Sequence, residues 1–144
     1  MIGVRVGPDL RMALIGSPAY FANRPIPKTP HDLRDHLAVN YRQTAGGGLY
    51  AWEFEREGEK VEVRMNGPVS LNDGDMLGLA ALEGVALAFM IEDQTILNHV
   101  AEGRLLRVLE DWCPPFPGYY LYYPSRRQPT AAFSLFLDAL RRKA

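Results

Sequence analysis

The alternation of short apolar runs with helix-like segments constrains the fold of this chain more than any other feature. Residues 85–91 form a continuous apolar run, which is typical of a strand covered on both faces. The same reasoning predicts further strands at residues 10–15, 37–41, 69–71, 105–109 and 119–123. Helices are predicted at residues 30–36, from 72 to Gly84, at 93–100 and from Pro129 onward. Strands that alternate with helices predict an α/β fold with a mixed, mainly parallel sheet flanked by helices.

A hairpin interrupts this alternation in the middle of the chain. Apolar side chains alternate with charged ones on both sides of Glu57-Gly58, which predicts two paired strands with one wet face. Trp52 and Phe54 lie on the same strand face, so we expect both to be buried packing residues. The hairpin glutamates are expected to form a solvated face rather than a cation site; they are Glu53, Glu55, Glu57, Glu59 and Glu62.

Two predicted helices differ in their patterns. Residues 76–82 are apolar nearly all round, which predicts a deeply buried helix. The last helix instead carries one apolar stripe at positions i, i+3, i+4 and i+7, formed by Phe133, Phe136, Leu137 and Leu140.

Charge and composition exclude several classes of protein. The formal net charge is -1, whereas a domain that binds nucleic acid by itself usually has a basic excess. The single cysteine, Cys113, allows no internal disulfide and fits the reducing cytoplasm. The chain shows no signal peptide and no apolar stretch of about 18 residues, so a cytoplasmic protein without a membrane anchor is expected.

The residues needed for common catalytic and metal sites are not in recognisable patterns. His31, His36 and His99 have no ligand spacing, so we predict no metal site, no cofactor and a structural role for His36. Cys113 lies beside prolines without a base nearby in the sequence, which favours a packing role over a nucleophile. Gly46-Gly47-Gly48 lacks the lysine of a phosphate loop. The sequence therefore predicts no enzyme.

Polar residues follow two of the predicted strands and form the candidate ligand site. Arg42, Gln43 and Thr44 follow one strand, and Asn72 and Asp73 lie between another strand and a helix start. Ligands of open α/β sheets bind at the carboxyl ends of strands, and the N–H groups of a helix N-terminus favour anions. Asn72 or Asp73 could instead only cap the helix, and these two interpretations have equal weight.

Six segments, in this order, resemble the effector-binding domain of LysR-type transcriptional regulators. The first two are Ser17-Pro18-Ala19-Tyr20-Phe21 and Thr29-Pro30-His31-Asp32-Leu33-Arg34-Asp35-His36. The next two are Tyr50-Ala51-Trp52-Glu53-Phe54, with its Glu57-Gly58 turn, and Asn72-Asp73 leading to Ala80-Ala81-Leu82-Glu83-Gly84. The last two are Glu102-Gly103-Arg104-Leu105, continued by residues 109–112, and Tyr122-Tyr123-Pro124-Ser125-Arg126-Arg127.

The resemblance implies part of a type II periplasmic-binding-protein-like fold with two α/β subdomains. By that comparison, residues 1–107 correspond to the second subdomain. Residues 108–144 correspond to the returning strand and terminal helix of the first. Most of the first subdomain and the DNA-binding helix-turn-helix have no counterpart in this sequence. In the intact protein, DNA would be contacted only through the helix-turn-helix domain.

The resemblance also implies a function. A small-molecule effector, anionic if the helix terminus takes part, would bind in a cleft between subdomains and modulate transcription. The second subdomain would contact it through Arg42, Gln43, Thr44, Asn72 and Asp73. The alternative is a fragment of a periplasmic-type solute-binding protein, which shares the fold. The aromatic strand and terminal helix lack most of their covering subdomain, so self-association, as a dimer, is also predicted.

Overall fold

The computed structural model describes residues 1–43, 45–124 and 130–142. The chain divides into two compact units, one formed by Met1–Leu10 with Pro115–Ala144 and a larger one formed by Arg11–Pro114. Val108 pairs with Leu14 in the central sheet of the larger unit, and the division into subdomains at residues 107 and 108 stays a prediction.

The described residues form strands and helices in the order that the sequence pattern predicts, with one additional strand at the start. The strands are β1 (Ile2–Arg5), β2 (Met12–Gly16), β3 (Val39–Tyr41), β4 (Trp52–Arg56), β5 (Glu59–Val63), β6 (Val69–Leu71), β7 (Ala88–Ile91), β8 (Leu106–Val108) and β9 (Tyr120–Tyr123). The α-helices are α1 (Pro18–Phe21), α2 (Gly74–Leu82), α3 (Gln94–Ala101) and α4 (Ala131–Arg142). Two 3-10 helices cover Pro30–Asp35 and Glu110–Trp112. The predicted start of the last helix, Pro129, lies outside the described residues.

The central sheet of the larger unit is mixed. Strand β2 lies between β7 and β8 and is antiparallel to both, whereas β3 and β6 are parallel. A parallel bridge between Ala38 and Leu87 connects the β3 segment to the β7 segment. The mixed α/β architecture is therefore confirmed.

The expected predominance of parallel strands is not found within the described part of the chain. Four strand pairs are antiparallel and one is parallel. An apolar run indicates that both faces of a strand are buried, but it does not indicate the direction of the strand. Strand direction depends on how the connecting segments return to the sheet.

Two hydrophobic cores cover the two faces of the central sheet. Leu14, Leu87 and Phe89 belong to one core together with Trp52 and other aromatic residues. Their strand neighbours Ala13, Ile15, Ala86 and Ala88 belong to the other core, together with Leu77, Ala81 and Ile96 of helices α2 and α3. Residues 86–89 of the run are therefore buried on both faces, as predicted, whereas Val85 and Ile91 at its two ends are 40% and 41% exposed.

Helix α2 departs from its prediction. Leu77, Gly78 and Ala81 are buried, but Met76 is 46% exposed and Leu79 is 53% exposed. An apolar residue on a short helix can face outward when the helix covers only one side of a sheet, so an all-apolar pattern overestimated the burial.

The smaller unit contains an antiparallel pair and one helix. Strand β1 pairs with β9 from Ile2–Tyr123 to Arg5–Tyr120, and Leu10 and Phe116 form a further antiparallel bridge. The sequence pattern did not predict β1. No helix within residues 1–43, 45–124 and 130–142 has the length and apolar character needed to cross a membrane.

Candidate functional site

The parallel pairing of β3 and β6 brings two of the predicted polar segments together. Tyr41 lies opposite Leu71, the last residue of β6, and the backbone N–H of Arg42 donates to the Leu71 carbonyl at 2.7 Å. Arg42 and Asn72 therefore follow neighbouring strands at the same edge of the sheet.

Two contacts deeper in the fold hold β3 in this position. The Nδ2 group of buried Asn40 donates to the Met65 carbonyl at 3.0 Å, and the Ala38 N–H donates to the Asn66 carbonyl at 3.0 Å. Gly67 passes so close to β3 that a Cβ atom there would lie 1.6 Å from the Ala38 carbonyl oxygen. Only glycine permits this approach, which aligns the start of β6 with β3.

The Arg42 side chain lies against the glycine-rich loop that follows it. The residue is exposed, and its guanidinium Nη1 donates to the Gly47 carbonyl at 2.6 Å. The Gln43 N–H donates to the Gly48 carbonyl at 2.9 Å, and the Gln43 residue is also exposed. Thr44, the third predicted residue of this segment, lies outside the described residues.

Asp73 caps helix α2. Its backbone is extended, and its carboxylate accepts a hydrogen bond from the Asp75 N–H at 2.9 Å. The capping interpretation is therefore correct for Asp73, while contact of Asn72 or Asp73 with a ligand stays a prediction. Both residues are exposed, so neither is prevented from meeting a small molecule.

The charges at this edge have opposite signs. Arg42 and the helix N-terminus attract anions, and the α2 dipole is equivalent to about half a positive charge there. Asp73 and Asp75 lie in the same turn and oppose an anion. Arg42, which follows the neighbouring strand, is the cationic side chain among the predicted site residues.

Sequence reasoning did not identify the contact between Arg42 and Gly47. Its signal was the run Gly46-Gly47-Gly48, which was considered above only as a phosphate loop and excluded as one. Gly46 and Gly47 have φ angles of 92° and 69°, which glycine adopts without strain. These conformations curve the loop so that the Gly47 carbonyl faces the Arg42 guanidinium group.

Cys113 and His36 have structural environments. Cys113 is buried, and desolvation raises the pKa of its thiol to about 11, so it stays protonated at neutral pH and cannot act as a thiolate. His36 is buried, and its Nδ1 atom lies 2.8 Å from the Tyr20 hydroxyl. Within the described residues, no group of three or more His, Cys, Asp or Glu side chains is arranged to hold a metal ion.

Comparison with known proteins finds transcriptional regulators that match nearly the whole length of this chain. The family model for the LysR substrate binding domain matches residues 2–144. A Pseudomonas aeruginosa protein described as a transcriptional regulator is 54% identical over 141 residues, which cover 98% of this chain and 46% of that protein. The HTH-type transcriptional regulator PgrR of Escherichia coli is 43% identical over 143 residues, which cover 99% of this chain and 48% of PgrR. The chain thus spans about half the length of these relatives.

Solved structures agree with this result. A full-length AphB variant superposes with a TM-score of 0.78 at 25% identity, covering 97% of this chain and 46% of AphB. The regulatory domain of AphB from Vibrio vulnificus gives a TM-score of 0.74 at 27% identity, covering 99% of this chain and 69% of that domain. The expected resemblance is therefore confirmed over nearly the whole sequence. The chain belongs to the LysR substrate-binding domain family.

Proposed function

We propose that this chain is the effector-sensing part of a LysR-type transcriptional regulator, without catalytic activity of its own. The observation that supports this proposal most directly is the register of β3 and β6, which aligns Arg42 with Asn72 at the carboxyl ends of parallel strands. Ligands of α/β sheets bind at this edge because strand ends and helix N-termini present polar groups there. The intact regulator would act in the cytoplasm. It would contact DNA through a helix-turn-helix domain, which supports this role because the name of the relative PgrR describes it as an HTH-type transcriptional regulator.

The proposed effector is a small molecule that carries a carboxylate. Arg42 would bind the carboxylate through its planar guanidinium group. Gln43, Thr44 and Asn72 would donate or accept further hydrogen bonds, and Asp73 would keep its capping bond and hold the α2 terminus in place. Binding would shift the population of conformations of the regulator, and so its contacts with DNA.

Thermal unfolding in the presence of a panel of small mono- and dicarboxylates tests this site. We expect at least one acid to raise the melting temperature of the chain at millimolar concentration, because an exposed charged pair contributes modest affinity. Arg42→Gln should abolish the shift. Arg64→Gln is the matched control, because the Arg64 side chain is 78% exposed and pairs with Glu62 of the hairpin at 3.4 Å, and it follows neither β3 nor β6. Equal stabilisation of both variants by the same acid would contradict the assignment of Arg42.

The reading frame upstream of the Met1 codon tests the regulatory role separately. A helix-turn-helix in the same frame supports a transcriptional regulator. A signal peptide in that position would instead support a solute-binding protein, in which the same fold captures nutrients.

A further inference from the structure

A slot between helices α2 and α3 forms a second concave site on the larger unit. Its volume is about 300 Å³, and its apolar lining comes from Leu79 and Leu82 of α2, Met90 of β7 and Ile96 of α3. Both helices cover the same face of the sheet, since Leu77, Ala81 and Ile96 belong to one core. The slot is therefore a gap between two packed helices.

The base of the slot is closely packed at Gly78. A Cβ atom at this position would already be in contact with the Ile96 δ-methyl group, at 3.4 Å, and with the Met90 sulfur, at 3.8 Å. Leu79 borders the slot and is 53% exposed. A large apolar side chain beside a concave apolar surface favours an occupant with an apolar body.

Two carboxylates set the sign of the charge in the slot. Asp75 and Asp93 both line it. Asp93 uses one oxygen to cap α3, accepting from the Ile96 N–H at 2.8 Å, and its second oxygen is available. The Asp75 side chain forms no hydrogen bond or ion pair with the described residues.

The cationic groups nearby do not neutralise these carboxylates. His99 lines the slot, and its Nδ1 atom accepts the Arg104 Nε–H at 3.0 Å, so the ring bears a lone pair there. Arg104 itself pairs with Glu102. The N-termini of α2 and α3 each contribute about half a positive charge, against two full negative charges, so the lining keeps a net charge of about -1.

We propose that this slot binds a small organic monocation with an apolar body, of the arylalkylammonium class. The ammonium group would lie between Asp75 and Asp93, and the apolar body would cover Leu79, Leu82 and Met90. None of Arg42, Gln43, Asn72 and Asp73 lines the slot, and the slot selects the opposite charge. The inference does not depend on the proposed effector, although Asp75 lies in the helix turn that separates the two sites.

Titration of the ¹⁵N-labelled chain with 2-phenylethylammonium, followed by NMR, tests the proposal. We expect saturable shifts of the amide signals of residues 75–82 and 93–99, with millimolar affinity. The neutral isostere 2-phenylethanol should bind several-fold more weakly, and the anion 3-phenylpropanoate should leave these signals unchanged. Equal binding of the ammonium and the alcohol, or shifts concentrated at residues 42, 43 and 72, would overturn the proposal.

Matched variants distinguish a specific site from general adsorption. Asp75→Asn should weaken binding of the ammonium about two- to fivefold, the range for exposed ion pairs, whereas Glu83→Gln on the same helix should not change it. Leu79→Ser should weaken binding of the ammonium and the alcohol alike. Leu97→Ser, a comparably exposed α3 residue outside the slot lining, should affect neither. Unchanged affinity of Asp75→Asn would also overturn the proposal.

Discussion

His36 shows how a buried polar residue depends on a specific protonation state. The Leu37 N–H donates to the Tyr20 hydroxyl at 3.2 Å, and that hydroxyl lies 2.8 Å from the His36 Nδ1 atom. Which of the two groups donates in this contact depends on the tautomer of the histidine ring. Desolvation by burial is the largest effect on this residue and lowers the pKa of His36, assisted by the nearby charge of Arg24. The carbonyl of Pro25 and the carboxylates of Asp35 and Asp32 act in the opposite direction.

We expect the chain to lose stability as the pH falls below about 6.5, the ordinary histidine value. The folded state binds the His36 proton less readily than the unfolded state, so its contribution is complete above that pH and is lost as the pH falls toward the folded pKa. Urea unfolding at pH 7.5 and pH 5.5 measures the difference. His36→Gln should reduce this pH dependence, whereas the exposed His31→Gln should retain it. An identical pH dependence in all three proteins would contradict the assignment.

Trp52 is the largest fully buried side chain of the hairpin. It is 1% exposed, and its ring lies 5.5 Å from that of Phe89. We expect Trp52→Ala to lower the free energy of unfolding by about 3–5 kcal/mol, because a large cavity opens in the core. Glu53→Ala, on the opposite face of the same strand, should change it by less than about 0.5 kcal/mol. Chemical denaturation measures both values, and a Trp52→Ala protein as stable as the parent would refute the packing role.

At the scale of elements, the register of β3 against β6 decides whether the candidate site exists. Sequence patterning predicts both strands, but their alignment depends on the close contact between Gly67 and Ala38 and on the Asn40 side chain. The strand-end residues Arg42 and Asn72 inherit their positions from these contacts. A residue far from any ligand can therefore control the site.

Gly67→Ala should destabilise the chain by at least about 3 kcal/mol, near the upper end for single substitutions. Its Cβ atom would overlap the Ala38 carbonyl oxygen, and neither backbone segment can move without breaking the hydrogen bond from Ala38 to Asn66. Gly74→Ala is the control, because a Cβ atom there meets nothing within 4 Å, and alanine favours the helix by up to about 1 kcal/mol. Denaturation curves give both values, and a Gly67→Ala protein with unchanged stability would show that the contact is unimportant.

At the scale of the whole molecule, the smaller unit has little of its own to cover its apolar side chains. Tyr119 is 65% exposed, Tyr122 is 64% exposed, and on α4 Leu135 and Phe136 are 68% and 52% exposed. A two-stranded sheet is only marginally stable in water, and its open edges favour pairing with another chain. Of the apolar stripe from which self-association was predicted, Phe136 is exposed but Leu137 is buried. The prediction therefore depends on the exposed tyrosines and on Leu135 and Phe136.

We expect light scattering over a concentration series to give a mass above the 16.2 kDa of one chain. Combined Leu135→Glu and Phe136→Glu should return the protein to a monomer, because charged groups would enter an apolar contact. Ala132→Glu with Ala139→Glu adds the same charge to exposed positions of the same helix and should leave the association intact. A monomer at all concentrations would contradict the prediction.

The sequence by itself determined the local structure and the family. Alternation predicted the hairpin with Trp52 and Phe54 inside. The apolar run at residues 85–91 predicted a strand segment whose residues 86–89 are buried on both faces. The ordered motifs identified the regulator family. These signals are readable because burial imposes a periodicity on neighbouring residues. Of the candidate site, the sequence supplied the polar residues after each strand and the possibility that Asp73 caps a helix.

Only the tertiary structure decided which segments pair and which apolar residues stay outside. Four features depend on residues that folding brings together. They are the antiparallel arrangement around β2, the pairing of β1 with β9, the exposure of Leu79 and the contact of Arg42 with Gly47. Hydrophobic burial has no direction, so a pattern can state that a strand is buried without stating its partner. Partners are chosen by backbone hydrogen bonds and by close approaches such as that of Gly67 to Ala38, which exist only in the folded chain.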